Sequence, residues 1–279
     1  MKSIFDDVSN DCSKIVTKTY STSFSLATKM LSKKIRQHIY NIYGFVRFAD
    51  EIVDSFHDYN KEMLFKDFSS DLEKSLKNKI HLNPILNSFQ ATYHKFNIDK
   101  DLVDSFMSSM KKDLYKTKYM SNQEYEDYIY GSADVVGLMC LKVFVNGNTK
   151  KYEELKSFAM RLGSAFQKVN FLRDLKADHD GLKRSYFPNL NIEEFDEESK
   201  QIILSEIDKD FSHALKGIFQ LPSSAKFGVY TAYKYYLKLL NKLRKTPPLK
   251  IKSSRIRVPN YQKVNVLARS YVRYRLNIL

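Results

Sequence analysis

Apolar residues recur at steps of three and four along nearly the whole chain, the spacing of one buried helix face. Ile35, Ile39, Ile42, Val46, Ala49 and Val53 form the clearest such face. A second helix is predicted from Tyr152 to Asp178, with Leu155, Phe158, Ala159, Leu162, Phe166, Val169 and Leu172 in register. A third, from Phe227 to Arg244, carries Val229, Ala232, Tyr236, Leu239 and Leu243. Further helices are predicted over 5–20, 61–78, 84–95, 99–115, 122–145, 196–218 and 260–277. The breaks are short: His81 to Pro84, Asn146 to Thr149, Gly181 to Asn191, Leu221 to Ser224 and Thr246 to Ser254. None reads as an interdomain linker, and no tandem repeat or low-complexity tract occurs. The pattern predicts one all-α domain over residues 1–279.

Composition agrees with that pattern. Only 8 Gly and 6 Pro occur in 279 residues, too few for the many corners of a strand-rich fold. A hydrophobic content of 43% excludes disorder over most of the length. Charge is unevenly placed. The chain holds 46 basic and 32 acidic residues, yet from Phe211 to Leu279 there are 15 Lys and Arg and no Asp or Glu. The first 210 residues are therefore close to neutral, and three classes stay open: a nucleic-acid binder, a membrane-surface protein, and an enzyme for anionic substrates. Cys12 and Cys140 make neither a disulfide framework nor a zinc knuckle and are expected as buried small hydrophobes. No signal-peptide h-region opens the chain, and no apolar run approaches the roughly 20 residues of a spanning helix. The expectation is a soluble, cytoplasmic protein that touches a membrane without crossing it.

Candidate chemistry sits on two of the predicted helices. Asp50 and Asp54, in Arg47-Phe48-Ala49-Asp50-Glu51-Ile52-Val53-Asp54, are four apart and share one helix face. Gln167, Asn170, Asp174 and Asp178 form a second polar stripe, flanked by Arg173. Like charges at this spacing destabilise a bare helix, and a divalent cation reverses the sign. Hard oxygen donors favour Mg²⁺ or Mn²⁺ over zinc. Mg²⁺ commonly bridges carboxylates to substrate phosphates, so two such helices facing one another would hold phosphorylated substrates.

These segments resemble the squalene and phytoene synthases, the head-to-head prenyl diphosphate synthases, over nearly the whole chain. Tyr20-Ser21-Thr22-Ser23-Phe24-Ser25 is similar to the family's amino-terminal Ser-x-Ser-Phe box. Tyr43-Gly44-Phe45-Val46-Arg47 leads into the first aspartate motif, and Tyr130 to Gly137 resembles the central segment. Gln167 to Asp178 matches the second aspartate motif, and Lys183-Arg184-Ser185-Tyr186-Phe187-Pro188 the box after it. Tyr236 and Arg255-Ile256-Arg257-Val258 match the carboxyl-terminal elements. Two positions depart from the pattern: Glu51 stands where a second Asp is common, and Ala177 where an acid usually precedes the last Asp.

The resemblance implies an isoprenoid-synthase helical bundle around a prenyl cavity. It implies Asp50, Asp54, Asn170, Asp174 and Asp178 as holders of Mg²⁺ (Mn²⁺ as a substitute). Arg47, Arg173, Gln167, Arg255 and the hydroxyls of Ser21, Ser23, Tyr43 and Tyr236 would grip diphosphate, and Phe24 and Tyr130 would line the cavity. The implied activity is phytoene synthesis from two geranylgeranyl diphosphates, without a nicotinamide cofactor. Dehydrosqualene or squalene from two farnesyl diphosphates is the alternative, and a basic helical nucleic-acid binder the reading from another class. The implied partners are the prenyl diphosphates, downstream carotenoid enzymes and an anionic membrane face, with Lys242, Arg244, Lys245, Lys250 and Lys252 as its surface cations. Nucleic acid is not expected.

Overall fold

In a computed structural model, residues 1–182, 184–188, 190 and 192–275 are described. They form an all-helical bundle, with no strand among the described residues. The chain runs α1 (Lys2–Tyr20), α2 (Thr22–Lys29), α3 (Lys33–Asp54), α4 (Lys61–Asn78), α5 (Pro84–Lys95), α6 (Lys100–Lys112), α7 (Asn122–Ile129), α8 (Val135–Phe144), α9 (Thr149–Leu182), α10 (Glu197–Gln220), α11 (Ser223–Arg244), α12 (Pro248–Ser253) and α13 (Asn260–Arg275). The short helices α2 and α12 lie where no helix is predicted from periodicity. Six to eight residues carry too few repeats to show a period. Lys183, from the box after the second aspartate motif, lies outside the described residues, as do 276 and 277 of the last predicted helix.

The predicted helix over 122–145 is instead two helices joined by a π-helical turn, Tyr130–Asp134. The wider turn shifts the register, so Tyr130 and Asp134 face an outer groove while Ser132 and Ala133 face the interior cavity. Hydrophobic spacing alone does not reveal such a shift, because Gly131, Ser132, Ala133 and Asp134 carry no large apolar side chain to mark it. This turn packs close to α9: a Cβ on Gly163 would lie 2.8 Å from the Ala133 carbonyl oxygen.

The core gathers on α3, α5 and α6, where Phe45 stacks on Phe89 with centroids 4.0 Å apart and meets Phe106 edge-on at 5.4 Å. Ile35, Ile39, Ile42, Ala49 and Val53 are buried as their spacing predicts, and so are Leu155, Val169 and Leu172 of α9. Val46, Phe158, Ala159, Leu162 and Phe166, from the same stripes, line a cavity. An apolar face thus serves two ends, packing and enclosing space.

Helix α1 inverts the usual pattern. It buries Ser9, Ser13 and Thr17 and exposes Ile4, Val8 and Ile15. The buried hydroxyls find partners: Ser13 and Ser88 share a 2.7 Å hydrogen bond, and Asn87 Nδ2 donates to Ser9 Oγ at 3.1 Å. Small polar residues here allow α1 to lie close against α3 and α5. The two cysteines are half-buried, not fully buried as expected. Cys140 faces the cavity, and desolvation pushes its thiol up to about 12.

Candidate active site

Helices α2, α3, α8, α9, α10 and α11 surround an apolar cavity of about 260 Å³. Its walls are rich in small residues, among them Ala27, Ala133, Gly137, Ala159, Gly163, Ala214, Gly217 and Gly228. Each small side chain leaves room that a larger one would fill. Polar groups gather at one end, where Tyr43, Gln167 and Tyr236 line the wall.

That end leads to the acids. On α3, Arg47 Nη1 donates to Asp50 at 2.5 Å and its other terminal nitrogen pairs with Glu51. The Arg47 guanidinium also sits 4.5 Å over the Tyr20 ring. On α9, Arg173 Nε donates to Asp174 Oδ1 at 2.9 Å, and Arg255, from the stretch before α13, reaches the same oxygen at 2.7 Å. The two helices meet electrostatically. Burial, then Asp174, then Asp54 push the Asp178 carboxyl up to about 7. Burial and then Asp54 push Asp50 up to about 7. The acids of α3 and α9 therefore share one desolvated cleft, and part of their mutual repulsion is relieved by protonation.

The remaining candidates fall around this cleft. Ser21 caps α2 by accepting from the Phe24 amide at 3.3 Å. Its hydroxyl also bonds Tyr43, whose phenol desolvation raises to about 12. Ser23 lies half-buried in the first turn of α2. Phe24 stacks on Tyr43 with centroids 4.7 Å apart, and Tyr236 stacks on Phe166 at 3.9 Å, all four in the cavity wall. Gln167 Nε2 donates to Ser132 Oγ at 3.4 Å. Asn170 Oδ1 is buried without a hydrogen-bond partner. Tyr130 is not a cavity residue; it is 38% exposed and faces the outer groove, because the π-helical turn rotates it away. Ala177, the position of the missing acid, is exposed.

Arg184 is a site residue that motif spacing did not single out. Buried, it donates to Asp54 Oδ1 and to the Asp113 carbonyl, each at 2.7 Å. Asp113 in turn accepts from Tyr128 Oη at 2.8 Å, and burial pushes its carboxyl up to about 7. The Arg184 amide closes the end of α9 on the Asp178 carbonyl at 2.9 Å. Tyr186 stacks on Phe171 at 4.0 Å and on Tyr128 at 5.3 Å, so an aromatic wall holds this loop over the cleft. Asp54, Asp113 and Arg184 lie far apart in sequence, and no motif spacing pairs them.

Among the described residues no three of His, Cys, Asp or Glu converge tightly enough to hold a metal ion alone. The donor set nevertheless suits a hard cation shared with phosphate oxygens: four carboxylates on two helices, two of them held partly protonated, beside an orphaned amide oxygen.

The model of the squalene/phytoene synthase family matches residues 17–262. The chain belongs to the squalene/phytoene synthase family. It is 28% identical over 200 residues to 4,4'-diapophytoene synthase of Staphylococcus haemolyticus, covering 70% of this chain and 66% of that protein. It is 25% identical over 244 residues to chloroplastic phytoene synthase 1 of Solanum lycopersicum, covering 80% and 58%. The matched region thus spans less than two thirds of the length of either relative. Among solved structures, a dehydrosqualene synthase superposes with a TM-score of 0.83 at 20% identity, over 97% of this chain and 98% of that one. Squalene synthase HpnC of Alicyclobacillus acidocaldarius superposes with a TM-score of 0.75 at 16% identity, over 91% and 97%. These two likenesses show the shared helical fold.

Proposed function

We propose that the protein condenses two prenyl diphosphates head to head, as its family membership and its site together support. The carrying observation is the pair of acid-bearing helices α3 and α9 at the polar end of an apolar cavity. The costly event in such a reaction is separating diphosphate from an allylic carbocation, which preorganised charge lowers. Arg47, Arg173 and Arg255 supply fixed cations for the leaving group, and the hydroxyls of Ser21, Ser23, Tyr43 and Tyr236 supply hydrogen bonds. Asp50, Asp54, Asn170, Asp174 and Asp178 would hold Mg²⁺, with Mn²⁺ as a substitute, jointly with substrate oxygens. Bound there, the metal neutralises charge gathering on the departing diphosphate.

Behind the acids, the apolar walls exclude water from the carbocation, and the rings of Phe24, Tyr43, Phe166 and Tyr236 offer π faces to it. In the first half-reaction the C1–O bond of one substrate breaks, and the double bond of the second captures the allylic cation. Loss of a proton closes a cyclopropane that still carries one diphosphate. In the second half that diphosphate departs, the skeleton rearranges, and loss of a proton gives a linear hydrocarbon. This route uses no hydride donor.

Two geranylgeranyl diphosphates giving phytoene is the preferred substrate reading, supported by the motif resemblance and by the phytoene synthase among the relatives. Two farnesyl diphosphates giving dehydrosqualene is the second reading, favoured by the 4,4'-diapophytoene synthase similarity. Incubation with Mg²⁺ and each diphosphate, without nicotinamide, followed by hydrocarbon analysis decides between them. A C40 product supports the first, a C30 product the second, and no product overturns both.

A hydrocarbon product also calls for a lipid destination. No helix among the described residues is long and apolar enough to cross a membrane. Helix α13, in the segment without acids, exposes Tyr261, Val264, Tyr271 and Val272. Its start lies beside the cleft, since burial, then Arg173 and Arg257, lower the Lys263 ammonium. We propose this helix as the face that docks on anionic lipid, with Lys245 and Lys250 nearby in sequence. Three of the anticipated surface cations are engaged elsewhere: Arg244 is held by Asp208 at 2.6 Å, Lys242 by the Arg257 carbonyl at 2.5 Å, and Lys252 by the Glu193 carbonyl at 2.8 Å.

A further inference from the structure

Between α7 and α8 the backbone widens for one turn, and the Val135 amide closes it on the Tyr130 carbonyl five residues back. An α-helical continuation would bond residues four apart, and single π-helical turns of this kind gather at functional sites. This turn packs against α9. Ala133 meets Gly163, and Ser164 Oγ donates to the buried Asp134 carboxyl at 2.7 Å. One turn further along α9 comes Gln167, facing Ser132.

Ser132 and Gln167 are both half-buried in the cavity wall. The Ser132 hydroxyl has one proton, which it donates to the Tyr128 carbonyl at 2.7 Å. Toward Gln167 the serine oxygen can therefore only accept. The amide answers with its nitrogen, and Gln167 Nε2 lies 3.4 Å from Ser132 Oγ. Such partners decide which way an amide faces, since its oxygen and nitrogen have nearly the same shape. At this length the contact orients the amide more than it stabilises the fold. With Nε2 turned to Ser132, the Gln167 carbonyl oxygen points to the other side.

Gln167 stands where the apolar walls give way to the acids. Tyr43 and Tyr236 line the same end of the cavity, and Asn170 and Asp174 follow on the same stripe of α9. At that junction the C1–O bond of a bound prenyl diphosphate breaks and positive charge appears on carbon. An amide oxygen aimed there lowers the energy of the cation. An amide nitrogen in its place, with partly positive hydrogens, raises it. A flip of Gln167 thus reverses the sign of its contribution, and the fixed Ser132 hydroxyl guards against that flip.

We propose that Ser132 is a positioning residue, holding the Gln167 amide with its carbonyl oxygen toward the allylic cation. The inference rests on the prenyl diphosphate reading above and deepens it by naming what orients one polar group of that site. Two substitutions of nearly equal shape separate the hydroxyl from its bulk. Ser132→Thr keeps the hydroxyl, and with it the bond to the Tyr128 carbonyl and the lone pair offered to Gln167. Ser132→Val fills the same space and offers neither.

The test compares wild type, S132V, S132T, Q167L and the double variant S132V/Q167L, with S132A as a second hydroxyl-free variant should the larger side chain disturb the fold. Two unreactive ligands serve as probes, a geranylgeranyl trimethylammonium and its neutral tert-butyl isostere. Both are titrated by calorimetry with Mg²⁺ and inorganic diphosphate present, and the farnesyl pair is measured alongside. The preference for the ammonium, read as the ratio of the two Kd values, is expected to fall about fivefold in S132V and S132A, the scale of one oriented polar contact. In S132T it should stay near wild type. Q167L should lose as much, and adding S132V to Q167L should change nothing further, because Ser132 acts through Gln167. An unchanged preference in S132V, an equal fall in S132T, or a further fall in the double variant overturns the proposal. A wild type with no preference for the ammonium overturns it too. Hydrocarbon analysis is run separately: no product from the wild type overturns the activity reading, and the binding ratio still decides the role of Ser132.

Discussion

Two groups of buried charge flank helix α9, and they are satisfied in different ways. On the outer side, Lys168 is buried between Glu206 and Asp210, with 2.6 Å to Asp210, while Ser164 donates to Asp134 at 2.7 Å. Each charge there has a counter-charge or hydrogen bond supplied by the fold, although burial pushes Asp134 up to about 7 as well. At the cleft, Asp50, Glu51, Asp54, Asp113, Asp174 and Asp178 outnumber the guanidiniums of Arg47, Arg173, Arg184 and Arg255, and Asn170 Oδ1 has no partner. The first arrangement pairs its charges within the fold and holds helices together; the second has a surplus of acids that a cation shared with phosphate oxygens would balance. Buried charge by itself does not mark a site. The mismatch does.

The largest effect should come from the side with surplus acids. Asp50→Asn or Asp174→Asn is expected to lower kcat by at least about 10²–10³, the scale of removing one element of preorganised charge. The melting temperature should stay level or rise, because each change relieves like-charge repulsion. Steady-state turnover and thermal melts check both halves, and unchanged turnover in either variant removes that residue from the assigned site.

Lys168→Met should do the reverse. It leaves Asp210 buried without its cation, a change that costs about 3–5 kcal/mol of stability, while turnover per folded molecule stays near wild type. The double variant with Asp210→Leu should recover much of the loss, as denaturant titration would show. A single variant that loses activity but no stability would place Lys168 with the cleft instead.

A smaller and graded effect follows from the raised carboxyls. Asp50 and Asp178 hold protons in the folded state up to about pH 7, above their unfolded values near 4. Their contribution to stability is fully present at low pH and is lost as pH rises through about 7. Metal must displace those protons, so its stabilisation has the opposite trend. Melts with and without Mg²⁺ and inorganic diphosphate should show an increment that grows from pH 5.5 to pH 8. A constant increment would break the comparison between the two charge groups.

The smallest expected effect is at α13. Val264→Asp should weaken flotation with anionic vesicles by roughly tenfold, the value of about 1.5 kcal/mol for one buried Val, without changing turnover in detergent. Equal flotation with neutral vesicles would argue against a lipid face that relies on charge.

Much of this molecule was legible along the chain. The all-α class, the long helices and the acid stripes at Asp50/Asp54 and Asp174/Asp178 follow from spacing, because a helix presents every third or fourth residue on one face whatever surrounds it. Spacing could not separate core from cavity, since Leu172 and Phe158 obey the same period and only their neighbours differ. Nor could it show the π-helical turn that sends Tyr130 outward, or the inverted face of α1, where small hydroxyls pack inside. The pairing of Arg184 with Asp54 across 130 residues belongs to the same class of information. Chemistry that resides in residue types and local periods was determined by the sequence itself. What the tertiary structure decided is which apolar faces enclose space and which charges lie within reach of one another, because each depends on atoms brought together only by packing.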